Sequence, residues 1–222
     1  MSDKQVELNE HGHELLAWSD DSRHDVDEAD HYVLMADAIR DLLIEKGVIK
    51  AGDVREQLEF MDSRSEDMGA RIVARAWANP DFKERLLANG TEAIKEFDIP
   101  MLDAELVVVE NTNEFHNMVV CTLCSCYPRT ILGMPPDWYK SKTYRSRSVN
   151  EPRAVLKEFG TDLADDVAVR VHDSNADMRY LVLPLRPEGT DGWSEPELAT
   201  LVSRDSMIGV SPATEPATEP ET

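Results

Sequence analysis

Val120-Cys121-Thr122-Leu123-Cys124-Ser125-Cys126 is the stretch around which the chain is organised, and it holds all three cysteines of a protein of 222 residues. A C-x-x-C-x-C cluster is too tight for a disulfide framework, and the sequence contains no other thiol that could pair with it. Three soft sulfur ligands on one short loop suit a transition metal that is held on one face. We therefore predict a metal site formed by Cys121, Cys124 and Cys126.

The composition is that of an acidic, folded chain. It has 23 basic and 44 acidic residues, a formal net charge of −21, and 41% hydrophobic residues. Nucleic acids and anionic membranes both require a basic surface, so neither is expected as a partner. The first residues lack the apolar segment of a secretory signal, and no apolar run approaches the roughly 18 residues of a membrane span. The sequence predicts a cytoplasmic protein in a reducing compartment, where cysteines are used for metal binding more often than for disulfides.

The chain before the cysteine loop is predicted to be helical. Residues 1–27 are polar and acidic and are expected to form a flexible arm. Residues 28–99 form a helical region, in which apolar residues recur at helical spacing on faces that are expected to be buried. Four helices are predicted there, over residues 28–46, 53–61, 66–78 and 80–97.

The sequence changes character after Pro100, where short β-branched runs predict strands. The last two runs alternate and are expected to pair with each other. The four predicted strands cover residues 105–110, 118–120, 167–171 and 179–183.

The remaining segments complete an α+β prediction. Glycine and proline predict irregular backbone at residues 133–136, and two further helices are expected over residues 151–159 and 195–202. The fold class is α+β, with the helical N-terminal part followed by a strand-rich metal-binding catalytic domain over residues 100–210. The repetitive residues 211–222 are expected to be disordered.

Several kinds of site compete for three clustered cysteines. Structural zinc takes four ligands, and His116 precedes a strand-like run that should carry it away from the loop. Iron–sulfur clusters usually take four cysteines, and a redox C-x-x-C motif leaves the third cysteine unexplained. A protein that only stores or delivers metal is a further alternative, although residues 135–139 would be superfluous in it.

A cysteine claw accounts for the whole motif. If the loop curls over one metal ion, the amide nitrogens of Ser125 and Cys126 come within reach beside the three sulfurs. Five positions are then filled and the sixth stays open for water or substrate. Such a centre is a Lewis acid that can polarise a bound substrate or activate water.

The motif resembles the metal-binding motif of the nitrile hydratase α subunit. The similarity covers residues 28–210, most of the chain. Its further matching segments are Val108 to Thr112, His116-Asn117, Leu132-Gly133, Pro135-Pro136, Trp138 to Ser141, Tyr144-Arg145, Arg147, Arg179-Tyr180 and Arg204 to Val210.

The resemblance implies the state of each ligand. Cys121 remains a thiolate, whereas Cys124 is oxidised to a sulfinic acid and Cys126 to a sulfenic acid. Thr122, at the second position of the motif, is the residue type of the cobalt-type enzymes that the chain resembles, so the expected cofactor is one cobalt(III) ion per chain rather than iron(III). Catalytic roles are implied for Cys126, whose sulfenate oxygen assists attack on the nitrile carbon, and for Ser125 beside it.

The resemblance also implies a reaction and partners. The reaction is the hydration of a small-molecule nitrile to its amide. The chain would act in an α/β heterodimer or a higher heteromer, with a β-type subunit whose arginines clamp the oxidised sulfurs. A metal-insertion activator protein would load the site.

Arg129 departs from the family, many members of which have tryptophan three residues after the last cysteine. A guanidinium near the pocket suits an anion, and the γ subunit of thiocyanate hydrolase resembles this chain at Tyr127-Pro128-Arg129. Residues 121–149 carry five bases and one acid, a local charge of 5 − 1 = +4, which also fits a docking face for an acidic partner. The alternative function is therefore hydrolysis of thiocyanate to carbonyl sulfide and ammonia. Because residues 101–104 lack a glutamine that the family often has, no general base is predicted outside the loop.

Overall fold

The computed structural model describes residues 26–99 and 104–216, with side chains from residue 31 onward. The predicted arm therefore lies, apart from its last two residues, outside the described ranges. The chain divides into two compact units, residues 1–54 and 55–222. The domain boundaries drawn from the sequence stay predictions. Within the described ranges, no helix is both long and apolar enough to cross a membrane.

The first unit contains α1 (Val26–Glu45), which ends before Gly47 at a positive φ of 67°. The prediction that the apolar stripe of this helix lies in a core is wrong, because its large apolar side chains are exposed. They are Tyr32, Val33, Leu34, Met35, Ile39 and Leu42.

The helices of the second unit begin with α2 (Asp53–Asp62), α3 (Asp67–Ala78) and α4 (Pro80–Ala88). The predicted inward face of α3 is confirmed, since Ile72, Val73, Ala76 and Trp77 are buried. It packs against α4 and against the helix over Glu195–Ala199.

The predicted single helix over residues 80–97 is wrong because it breaks at Asn89. This residue has an extended backbone and accepts a hydrogen bond from the amide of Glu92, so it ends α4 and caps α5 (Gly90–Ala93). A 3₁₀ turn over Ile94–Phe97 completes the segment. Gly90 is required there, because a Cβ would lie 2.5 Å from the backbone oxygen of Leu106.

Four strands form two parallel pairs. β1 (Glu105–Glu110) pairs with β4 (Met178–Leu183), and β2 (Phe115–Val120) pairs with β3 (Ala168–Asp173). The prediction that the last two strands pair with each other is therefore wrong. The amide of Ser174 donates to the oxygen of Val120 and the side chain of Asn175 caps the next turn, so the link carries the chain from one pair to the other instead of forming a hairpin.

Short helices surround these strands. Those that follow the cysteine loop are α6 (Arg129–Leu132), α7 (Asp137–Lys140), α8 (Lys142–Asn150), α9 (Pro152–Glu158), α10 (Glu195–Ala199) and α11 (Arg204–Ile208). The predicted irregular segment is present between α6 and α7, where Gly133 has a φ of 68°. Ordered chain continues past residue 210, because Ala213 is buried and the amide of Thr214 donates to the oxygen of Leu201.

Candidate metal centre

The cysteine loop begins where β2 ends and is fixed at both of its ends. At the start, the amide of Thr122 donates to Asp173 Oδ1 over 2.9 Å and its hydroxyl donates to Oδ2 over 2.5 Å. At the end, the hydroxyl of Tyr139 donates to the oxygen of Cys126 over 2.8 Å. Because Asp173 ends the neighbouring strand β3, the strand register places this carboxylate beside the loop.

The three sulfurs converge within the loop. All three Sγ atoms lie within 4.8 Å of one another, with 3.5 Å between Cys121 and Cys124 and 3.3 Å between Cys124 and Cys126. At metal–sulfur bonds of about 2.3 Å, right angles separate two sulfurs by about 3.3 Å and tetrahedral angles by about 3.8 Å. The two stated separations are therefore nearer to the right-angle value than to the tetrahedral value.

The backbone amides of the loop also face the sulfurs. The amide of Cys124 donates to Cys121 Sγ over 3.3 Å. Those of Ser125 and Cys126 donate toward the sulfur of Cys124 and contribute to lowering its pKa. The two amide nitrogens that a claw requires therefore lie on the side of the loop where the sulfurs meet.

The pKa values of two of the thiols are shifted in opposite directions. Hydrogen bonds from Cys126 and Cys121, followed by the nearby amides, lower the pKa of Cys124 to about 7. Burial, together with the hydrogen bond to Cys124, raises the pKa of Cys126 to about 12. Because metal ligands must be thiolates, a metal that enters this loop has to displace protons. Three sulfurs and two amides in one loop fit a transition metal in its low-spin state.

No fourth side-chain ligand joins the cluster. In the ranges 26–99 and 104–216, the three cysteines are the one group of His, Cys, Asp or Glu side chains arranged to share an ion. His116 lies within β2, where it is 6% exposed and its Nε2 is 2.8 Å from the oxygen of Gly209. Burial lowers the pKa of His116, so a neutral ring that donates to this carbonyl is favoured. Its predicted separation from the loop agrees with this position.

A cavity of about 350 Å³ opens beside the loop. Its lining includes Cys124, Ser125 and Cys126, and Arg129 reaches it from the start of α6. Cys121 lies beneath the loop, fully buried. The structure therefore brings together all the residues to which the sequence gave a site role.

Two charged residues near the loop were missed as site residues. Asp173 holds the start of the loop, and Arg179, at the second position of β4, lines the cavity. Both come from strands far along the chain. The parallel strand pairing that places them has no local signal in the sequence.

Comparison with known proteins identifies the class to which this fold and site belong. The sequence profile described as nitrile hydratase, alpha chain, matches residues 30–211. This chain belongs to that family.

Individual relatives cover both activities that the sequence left open. The chain is 52% identical over 179 residues to the cobalt-containing nitrile hydratase subunit alpha of Pseudonocardia thermophila, a match that covers 79% of this chain and 88% of the relative. It is 43% identical over 198 residues to the thiocyanate hydrolase subunit gamma of Thiobacillus thioparus, covering 84% and 82%.

Solved structures show the same fold. An Fe-type nitrile hydratase double mutant from Comamonas testosteroni Ni1 superposes with a TM-score of 0.80 at 41% identity, covering 89% of this chain and 98% of the other. A recombinant thiocyanate hydrolase with partially modified cobalt centres gives a TM-score of 0.78 at 41% identity, covering 86% and 95%.

Proposed function

We propose that this chain is the α subunit of a cobalt nitrile hydratase, an enzyme that adds water to a nitrile to give the amide. The single observation that carries the proposal is the convergence of three sulfurs and two backbone amides in one loop beside a cavity. The family relatives named as cobalt-containing nitrile hydratase subunits support it.

The chain's own atoms would hold the metal. The ligands are the sulfurs of Cys121, Cys124 and Cys126 and the amide nitrogens of Ser125 and Cys126. One cobalt(III) ion per chain, held by these atoms, would supply a Lewis acid beside the cavity. Thr122, which marks the cobalt-type enzymes, supports cobalt over iron.

Burial supports the proposed oxidation states. Cys121 is fully buried and remains a thiolate, because an oxidant has no access to it. Cys124 is exposed and carries the sulfinic acid, and Cys126 is half-buried and carries the sulfenic acid. The order of exposure therefore follows the order of oxidation.

The cavity residues orient the reaction. A small nitrile would fit in the space beside Ser125 and Cys126, where the sulfenate oxygen proposed for Cys126 would attack the nitrile carbon or take a proton from water. Tyr139 donates to the Cys126 carbonyl and so holds the end of the loop in place.

The enzyme is proposed to be cytoplasmic and to act with a β-type subunit, as an α/β heterodimer or a higher heteromer. Leu123, at the tip of the loop, is 85% exposed, and a partner that covers it would also exclude water from the site. The exposed apolar stripe of α1 is a second surface that such a partner could bury. A metal-insertion activator is part of the proposal.

A second candidate function rests on Arg129. Its side chain is exposed, lines the cavity and has no described carboxylate within 4.0 Å, which suits a small anion such as thiocyanate. The thiocyanate hydrolase relative supports this candidate.

The test is turnover by the co-expressed complex on a small nitrile and on thiocyanate, assayed side by side. Formation of amide without carbonyl sulfide supports nitrile hydratase. Formation of carbonyl sulfide with no amide supports the second candidate and refutes the first.

A further inference from the structure

Arg179 is a charged residue at the cavity to which the proposed function gives no role. It is the second residue of β4, where it lies opposite Leu106 of β1 in the parallel register. Its side chain lines the cavity together with Cys124, Ser125 and Cys126. Because a paired strand carries this residue, its direction is set by a sheet and not by a loop.

Among the residues that the structure describes, no carboxylate forms an ion pair with the side chain of Arg179, although the chain has 44 acids and 23 bases. Most described arginines bind a carboxylate, lie over an aromatic ring or donate to carbonyls of distant residues. Examples of each kind are Arg75, Arg147 and Arg204, then Arg64 and Arg170, then Arg153 and Arg186. Within the described ranges, the one hydrogen bond of the Arg179 side chain runs to the backbone oxygen of the preceding Met178, over 3.3 Å.

A guanidinium that lines a cavity is suited to bind an anion there. The cavity offers one, because the side chain of Cys126, which is anionic when it ligates a metal, lines the same cavity as Arg179. Arg129 lines the same cavity but acts from the exposed start of a short helix.

We propose that Arg179 is a positioning residue that holds the anionic side chain of Cys126 by a charge-assisted hydrogen bond in the metal-loaded site. The proposal rests on the proposed function, since it assumes that the loop carries its metal. A guanidinium fork donates well to an oxygen on sulfur, and this contact directs that oxygen toward the cavity. It also withdraws electron density from the sulfur and so tunes the metal.

The experiment compares Arg179→Met and Arg179→Lys with wild type, and uses Arg129→Met as the matched control from the same cavity. Each co-expressed complex is analysed for cobalt per chain and for the wavelength of its sulfur-to-cobalt absorption band. Arg179→Met is expected to lower cobalt per chain by about tenfold or to move the band to longer wavelength, because outer-shell partners are typically worth about 10–100-fold. Arg179→Lys keeps the charge and is expected to lie between Arg179→Met and wild type. Arg129→Met is expected to keep wild-type cobalt and the wild-type band.

Kinetics separate positioning from substrate binding. For a neutral nitrile, Arg179→Met is expected to lower kcat and leave KM unchanged. A raised KM with wild-type cobalt and an unshifted band would make Arg179 a substrate-binding residue and overturn the proposal. So would wild-type cobalt, band and kcat in Arg179→Met, or an equal band shift in Arg129→Met.

Two further outcomes are also decisive. If Arg179→Met does not assemble, Arg179→Gln replaces it, and wild-type cobalt together with a wild-type band in that variant overturns the proposal. A wild-type complex that holds no cobalt refutes the proposed function itself. A loaded wild type with an unaffected Arg179→Met refutes only the role of Arg179.

Discussion

Tyr139 and Tyr144 form a matched pair that tests whether the cysteine loop needs its own support. Both rings are fully buried, and both hydroxyls donate to a backbone oxygen: Tyr139 to Cys126 over 2.8 Å and Tyr144 to Val119 over 2.7 Å. The first bond holds the metal-binding loop, and the second holds the strand before it. Replacing either tyrosine by phenylalanine removes the hydroxyl and its hydrogen bond to that backbone oxygen.

The magnitude follows from these contacts. Each substitution is expected to cost about 1–2 kcal/mol of unfolding free energy, which is roughly 2–8 °C in the melting temperature of a chain of this size. In Tyr139→Phe the same free energy is lost from the ordered loop, so the equilibrium constant between the ordered and the disordered loop falls by about 5–30-fold, and the affinity of the loop for metal falls with it. In Tyr144→Phe the loop keeps its support.

The assay is thermal unfolding of each co-expressed complex, with cobalt per chain measured on the same preparation. Tyr139→Phe and Tyr144→Phe are expected to melt at similar temperatures, but only Tyr139→Phe should lose cobalt. Equal cobalt contents in the two variants would refute the reasoning, because the Tyr139 bond would then be structural only.

Three further predictions concern the supports of the loop and of the fold. Asp173→Asn should lower cobalt per chain several-fold by elemental analysis with a small change in the urea midpoint, since an exposed amide keeps only part of the hydrogen bonding to the loop. Gly209→Ala should lower the free energy of unfolding in urea by more than about 2 kcal/mol, because its φ is +84° and a Cβ would meet a backbone oxygen at 2.0 Å. Gly192→Ala is the control: its φ is +79° but a Cβ would lie in open space, so it should cost about 1 kcal/mol. For Glu66, burial is the largest influence and raises the pKa, but the hydrogen bond and the charge of Arg204 together with a backbone hydrogen bond outweigh it, so the pKa is lowered below 4.5. The stability that ionised Glu66 contributes is therefore present above about pH 4.5 and is lost as the pH falls through the lowered pKa. The difference in unfolding free energy between wild type and Glu66→Gln, measured from pH 7 to pH 3, should therefore shrink below about pH 4.5.

The convergence of the three cysteines was predictable because they are close together in the sequence. Three cysteines in six residues specify a loop site whatever the surrounding fold, and the amides of Ser125 and Cys126 follow from the curvature of the loop. The inward face of α3 was predictable for a similar reason, since the spacing of its apolar residues reports directly on one helix.

The supports of the site were not predictable, because they depend on pairing at long range. Asp173 lies 51 residues beyond Thr122, and only the parallel register of β2 and β3 brings them together. Alternation within a strand indicates which face is buried but not which strand is its neighbour, and this explains the wrong pairing of β3 with β4. The break at Asn89 was missed because apolar spacing continues through a residue whose side chain competes for the backbone.

The central claim is that Cys121, Cys124 and Cys126 hold one cobalt ion, with two of the sulfurs oxidised. It is tested most directly by the intact mass of the chain from the active complex, measured together with its metal content. The expected result is one cobalt per chain and about three added oxygens distributed over Cys124 and Cys126. An active complex that contains zinc, or whose chain has the unmodified mass, would contradict the claim.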